Sequence, residues 1–145
     1  MPSQIKVDEI KNVAGQYEIK TNTFKGQTTG GSIAVQGEGT ATTNLQQGLA
    51  KAWVNFDGTG TISARDSFNT ASLTDNGTGD YSINYSTAMG NANYSVCALG
   101  SNNRWVYYQN SGHTTGLCKV FTKDATPNNA YDAGHVMIQV LGDLA

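Results

Sequence analysis

LAKAWVNFDGTGTISARDSFNTASLTDNGTGDYSINYSTAMGNANYSV, residues 49–96, consists of short runs of alternating apolar and polar side chains parted by GTG at 58–60, DNGTGD at 75–80 and MGNAN at 89–93. Tyr81, Ile83 and Tyr85 alternate with Ser82, Asn84 and Ser86. Successive side chains of a strand point to opposite faces, so this rhythm is that of a strand with one side buried and one side wet. Turn-rich breaks every ten residues or so make the runs hairpin-connected and antiparallel.

The same rhythm continues toward the C-terminus. Tyr94, Val96 and Ala98 alternate with Ser95, Cys97 and Leu99, and Leu117, Lys119 and Phe121 with Cys118 and Val120. In the last run Val136, Ile138 and Val140 alternate with Met137, Gln139 and Leu141. Arg104 to Gln109 is dense in aromatics. No helix-length periodic segment interrupts the series, and the spacing predicts an all-β fold with a C-terminal antiparallel sandwich of about six to eight strands. Ala52, Val54 and Phe56 alternate with Trp53 and Asn55. Both faces of that strand therefore carry a large side chain, which implies cover by the opposing sheet on one side and by a neighbouring subunit on the other.

Ahead of this core the apolar residues thin out. Short strands fit Gln4–Val7, Tyr17–Phe24 and Ser32–Gln36, with breakers at QTTGGS and GEGTATT. The expected division is an extended β arm over 1–45 and a sandwich over 46–145. So few anchors enclose no core alone, and identical copies around a shared axis would supply the missing partners. Thr43 or Asn44 suits the cap of a short helix running through Lys51, with Leu45 and Leu49 on one face and Gly48 weakening it. Leu45, Leu49 and Trp53 are the expected packing residues of a trimer.

Three segments carry a family resemblance: GEGTATTNLQQGLAKAWVNFDGTGT at 37–61, RDSFNTASLTDNGTGDYSINYSTAM at 65–89, and IKVDEI at 5–10. They resemble the distal part of tail-fibre proteins of marine, cyanophage-like tailed bacteriophages. The resemblance implies a virion structural protein, a homotrimer with a β-rich tip that touches the host surface. On that expectation the arm joins other virion proteins, assembly takes place in the host cytoplasm, and the tip meets a host glycan or protein. A capsid decoration or head-fibre protein, or a tail adaptor with a purely structural role, is the alternative.

Composition narrows the chemistry. Charged residues make up 14% of the 145, against roughly 25% in ordinary soluble domains. A net charge of −2 provides no field that gathers phosphates, so nucleic acid is not an expected partner. MPSQIKVDEIKNV lacks the apolar stretch of a signal peptide, and no run approaches the roughly 20 apolar residues of a membrane span. Cys97 and Cys118 are too few for a tetrahedral metal site. They read as buried reduced thiols on different strands, with a disulfide as the other possibility.

The Asp75–Asp80 loop has oxygen ligands but not the register of a calcium loop, and its Asn-Gly pair favours a hairpin turn. His113 and His135 have no partner at metal-ligand spacing and read as surface or hydrogen-bonding histidines. No paired carboxylates, G-x-S-x-G or H-E-x-x-H appear, so neither an enzyme nor a cofactor is expected. SNNRWVYYQNSGHTT at 101–115 is the binding candidate, with Asn102, Asn103, Arg104, Trp105, Tyr107, Tyr108 and His113 as its residues. Flat rings cover the C–H faces of sugars, and amides satisfy hydroxyls. Against this stands a structural reading in which Trp105 and Tyr107 fill the core while the residues alternating with them pack on a neighbour.

Overall fold

The computed structural model describes Thr23 and residues 33–36, 39–101, 103–108, 112–126 and 128–145. The strands expected at Gln4–Val7 and Tyr17–Phe24 lie outside the described residues, Thr23 excepted. Ten strands are present among the described residues: β1 (Ala34–Gln36), β2 (Thr42–Asn44), β3 (Ala50–Asp57), β4 (Ser63–Phe68), β5 (Thr70–Gly77), β6 (Asp80–Tyr85), β7 (Ser95–Gly100), β8 (Arg104–Tyr108), β9 (Leu117–Asp124) and β10 (Val136–Leu141). Eight of them form two antiparallel four-stranded sheets, ordered β4-β3-β10-β7 and β5-β6-β9-β8, while β1 and β2 pair with each other. The all-β expectation holds.

The inner faces follow the alternation in the sequence. Ala52, Val54 and Phe56 of β3 and Val136, Ile138 and Val140 of β10 are buried on one side. Tyr81, Ile83 and Tyr85 of β6 and Cys118, Val120 and Thr122 of β9 are buried on the other. The Phe56 and Tyr81 rings meet edge to face at 5.2 Å, a preferred aromatic geometry.

Two residues with positive φ fix turns of the chain, one between the sheets and one within a hairpin. Asn69, at φ 54°, turns the chain from β4 in one sheet to β5 in the other. Its amide donates to the carbonyls of Lys51 at 2.9 Å and Thr87 at 3.0 Å, and its Oδ1 accepts from the Thr87 N–H at 2.6 Å. Asparagine suits this corner because it tolerates the left-handed region and offers a donor and an acceptor together. Gly79, at φ 70°, closes the β5–β6 hairpin where an added Cβ would lie 2.4 Å from the Thr122 carbonyl oxygen. The Asp75–Asp80 loop is thus a turn, with the Asp75 carboxylate accepting the Gly77 N–H at 2.9 Å.

The expected helix through Lys51 is not formed. Asn44 does cap, its Oδ1 accepting from the N–H groups of Gln46 and Gln47 at 2.8 and 3.2 Å. A single turn follows, and Lys51 already lies in β3. The β-branched Thr42 and Thr43 pair with β1 instead, and Gly48 gives the turn no helical support. The turn is fastened to the sandwich by Gln47, whose amide donates to Asp143 at 2.6 Å, and by the Lys51 ammonium, which reaches the carbonyls of Gln46 and Leu49.

The cysteines are both free, but only Cys118 is buried. Cys97 points outward from β7, a correction to the expected buried pair. The reason is parity: Val96 and Ala98 take the inward positions of that strand and pack against the core.

Candidate binding faces

With one face of each sheet used for the core, the two outer faces remain, and their chemistry differs. On the outer side of β5-β6-β9-β8, Trp105 and Tyr107 of β8 stand opposite Lys123 and Phe121 of β9. Ser82 and Asp80 of β6 stand opposite Lys119 and Phe121. The Trp105 and Tyr107 rings lie 6.0 Å apart at a 56° tilt, and the Lys123 ammonium lies 5.6 Å from the Tyr107 ring centre. Lys119 approaches the Asp80 carboxylate at 3.7 Å. Further across, the Asn84 amide donates to the hydroxyls of Ser72 at 3.1 Å and Thr74 at 3.2 Å, and Asn76 donates to Ser82 at 2.9 Å. The result is an aromatic corner that grades into an ordered row of amides and hydroxyls.

The predicted segment does not form one site. Trp105 and Tyr107 face outward, Trp105 being 54% exposed, so the reading that made them core is overturned. Strand parity puts Val106 on the inner side instead, packed against the core. Arg104 is engaged elsewhere: its guanidinium pairs with Asp124 and lies 3.7 Å from the centre of the Tyr131 ring. Asn103 is exposed at φ 59° and its carbonyl accepts from the Ala125 N–H at 3.3 Å. Asn102 lies outside the described residues.

Tyr108 and His113 belong to a second locus, at the flank between β7 and β8. The His113 ring stacks on Tyr94 at 4.8 Å and meets the Tyr108 edge at 4.0 Å. With Ala92, Asn93 and Val96 these rings line a cavity of about 500 Å³. Both His113 nitrogens are sealed from solvent and have no hydrogen-bond partner among the described residues, and burial holds the imidazole below its ordinary pKa. The expectation of a surface or hydrogen-bonding histidine fails here, because the Tyr94 and Tyr108 rings cover the imidazole. His135 is exposed.

The outer side of β4-β3-β10-β7 is apolar across β10, β7 and the Trp53–Phe68 pair, and charged toward the other end of β4, where Asp66 stands opposite Asn55 and Arg65 pairs with Asp57. Trp53 stands opposite Phe68 and Gln139, Gln139 opposite Cys97, and Met137 opposite Leu99 and Asn55. Phe68, Leu99 and Met137 are 51, 62 and 41% exposed, and Leu141 and Trp53 join them. No charged side chain interrupts Trp53–Asn55, Met137–Leu141 or Ser95–Leu99. Leu45 and Leu49 sit apart from this face, exposed beside Val35 where the β1–β2 pair joins the turn.

Most members of these faces escaped notice in the sequence because each strand contributes only one or two of them. The doubly apolar runs of β7 and β10 were the available signal. Among the described residues, no group of three or more His, Cys, Asp or Glu is placed to hold a metal ion, and no helix is long and apolar enough to cross a membrane. Comparison with protein-family models, curated proteins and solved structures finds no match for this chain.

Proposed function

We propose that this chain is a virion structural protein of a tailed bacteriophage, a tail fibre or fibre tip that assembles as a homotrimer and contributes to attachment to the host surface. The observation that carries the reading is the division of the two outer faces. One exposes Trp53, Phe68, Leu99, Met137 and Leu141, with its charge confined to the β4 side at Asp57, Arg65 and Asp66, and is suited to burial against a sister copy; the other joins exposed rings to amides and hydroxyls, suited to a ligand taken from water. The resemblance of residues 37–61 and 65–89 to phage fibre tips supports the same assignment.

Attachment would work through several weak contacts. Trp105 and Tyr107 cover the C–H faces of a sugar or an apolar epitope, and the polar row from Asp80 to Asn84 meets its hydroxyls. Three tips on one stalk multiply the effective affinity of a weak single site. The test uses labelled full-length protein on susceptible and receptor-deficient host cells. Binding confined to susceptible cells and lost in Trp105→Ala/Tyr107→Ala supports the proposal. Equal binding by the variant removes the aromatic corner from it, and no binding by the parent protein assigns the chain a purely structural place in the particle.

A further inference from the structure

The outer face of the β5-β6-β9-β8 sheet carries few charges. Strand parity turns Asp80 of β6 and Lys119 and Lys123 of β9 toward it, while β5 and β8 add none. Asp80 is compensated where it stands, by Lys119 at 3.7 Å and by the Asn76 amide at 3.2 Å. Lys123 has no such counterpart, since among the described residues no carboxylate pairs with it. The chain segments flanking it supply Trp105, in register on β8, and Ala130, bridged to it on the other side. Asp124, next in sequence, falls on the opposite parity and is taken by Arg104.

Two ammonium groups against one carboxylate give this face a positive surplus in a chain whose net charge is −2. The surplus sits at the aromatic corner. There the Lys123 ammonium lies 5.6 Å from the centre of the Tyr107 ring, a distance at which a ring face attracts a cation. That attraction keeps the charge beside the rings without neutralising it.

We infer that the ligand of the aromatic corner is an acidic sugar, its anionic group held by the Lys123 ammonium and its C–H face by the ring of Trp105 or Tyr107. This rests on the attachment reading above and names the chemical class of the ligand. Charge complementarity selects the anion, and the rings with the row of amides and hydroxyls beyond them select the sugar. One unpaired ammonium matches one anionic group per unit, whereas a nucleic-acid backbone calls for a row of cations. A uronic-acid carboxylate and a sulfate or phosphate ester share this chemistry, because lysine meets either as a point charge.

Surface polysaccharide extracted from susceptible host cells, immobilised and titrated with the full-length protein, tests the assignment. The parent is expected to bind at low salt and to weaken as salt rises. Lys123→Met keeps the stem of the side chain and should lower the affinity on the order of tenfold at low salt, whereas Lys123→Arg should retain it, with the far-ultraviolet circular dichroism of both variants unchanged. Lys123→Met should also bind with a flatter salt dependence, which lost packing alone would not produce. Reducing the carboxyl groups of the polysaccharide to alcohols separates the sources: loss of binding assigns the charge to a uronic acid, and persistence of salt-sensitive, Lys123-dependent binding assigns it to a sulfate or phosphate ester. Equal affinity of Lys123→Met and the parent, with no effect of salt, means a neutral ligand; it overturns this inference and leaves the attachment reading standing. Binding to the cells but not to their polysaccharide means a protein receptor and has the same consequence. Absence of binding to the cells overturns the attachment reading and this inference together.

Discussion

The hydroxyl of Tyr81 lies 2.9 Å from the carboxylate of Asp132, across 51 positions of chain, and the same carboxylate oxygen accepts the Gly79 N–H at 2.7 Å. The Gly58 carbonyl is a second acceptor at 3.1 Å from that hydroxyl. One buried phenol therefore ties the β3–β4 turn, the β5–β6 turn and the approach to β10. Its position depends on Gly58, where a Cβ would sit 2.4 Å from the Tyr81 oxygen.

Asp132→Ala should destabilise the fold by about 2–3 kcal/mol, since it removes a charged acceptor, strands the Gly79 N–H and leaves the Tyr81 hydroxyl only the Gly58 carbonyl. Tyr81→Phe removes one donor shared by the carboxylate and the Gly58 carbonyl, leaves the Gly79 contact in place and should cost about 1–2 kcal/mol. Urea unfolding at neutral pH separates the two. A loss for Tyr81→Phe equal to that for Asp132→Ala would show that the carboxylate acts through the phenol alone and that the Gly79 contact contributes nothing.

The two special backbone positions make opposite demands. Asn69→Gly preserves the left-handed corner but forfeits three side-chain hydrogen bonds, whereas Asn69→Ala loses both. We expect Asn69→Ala to cost about 2–3 kcal/mol and Asn69→Gly clearly less. At Gly79 no side chain is tolerated, and Gly79→Ala should cost about 2–3 kcal/mol or more. Thermal melts of the three variants check the order.

Buried acids make the fold sensitive to alkali. Burial pushes the Tyr94 phenol up to about 12 and the Cys118 thiol up to about 11, and it raises Tyr81 and Tyr85 further still. Each group is neutral where it is packed, and its folded pKa exceeds its unfolded value. The stability it contributes is whole below the ordinary values of 9.0 for the thiol and 10.0 for the phenols, and is lost as pH climbs above them. The melting temperature should hold from pH 7 to about 9 and fall steadily beyond, with Cys118 becoming reactive to a thiol reagent only as the fold opens.

His113 predicts the acid limb. Its folded pKa lies below the ordinary 6.5 because burial disfavours the cation, so its contribution is complete above that value and fades as pH falls through it. His113→Phe keeps a ring against Tyr94 and removes two nitrogens without partners. Its stability should match or exceed the parent by up to about 1 kcal/mol at pH 7, with a larger advantage at pH 5. A variant clearly less stable at both values would mean that the imidazole nitrogens do have a partner.

Much of the architecture was legible in advance because strand alternation is a local property. Tyr81, Ile83 and Tyr85 were placed together on a buried face, and Val136, Ile138 and Val140 separated from Met137, Gln139 and Leu141, by spacing alone. The segment at 43–51 was misread for a local reason too. An Asn cap and two leucines four apart serve a single turn as well as a helix, and the choice fell to the pairing of Thr42 and Thr43 with β1. The binding segment divides between two places for a non-local reason. Adjacent residues of a strand diverge, so Tyr107 and Tyr108, neighbours in sequence, belong to different loci.

Alternation, turn chemistry and low charge determined from the sequence alone that this chain builds stacked antiparallel sheets. Which of the two faces of a doubly apolar strand is core, and which side chains from separate strands share a surface, was decided only by tertiary structure. The physical reason is that side-chain parity is written in each strand, whereas strand order and register come from pairings between segments distant in the chain. Those pairings set Trp53 beside Phe68 and gathered Trp105 with Phe121 and Lys123.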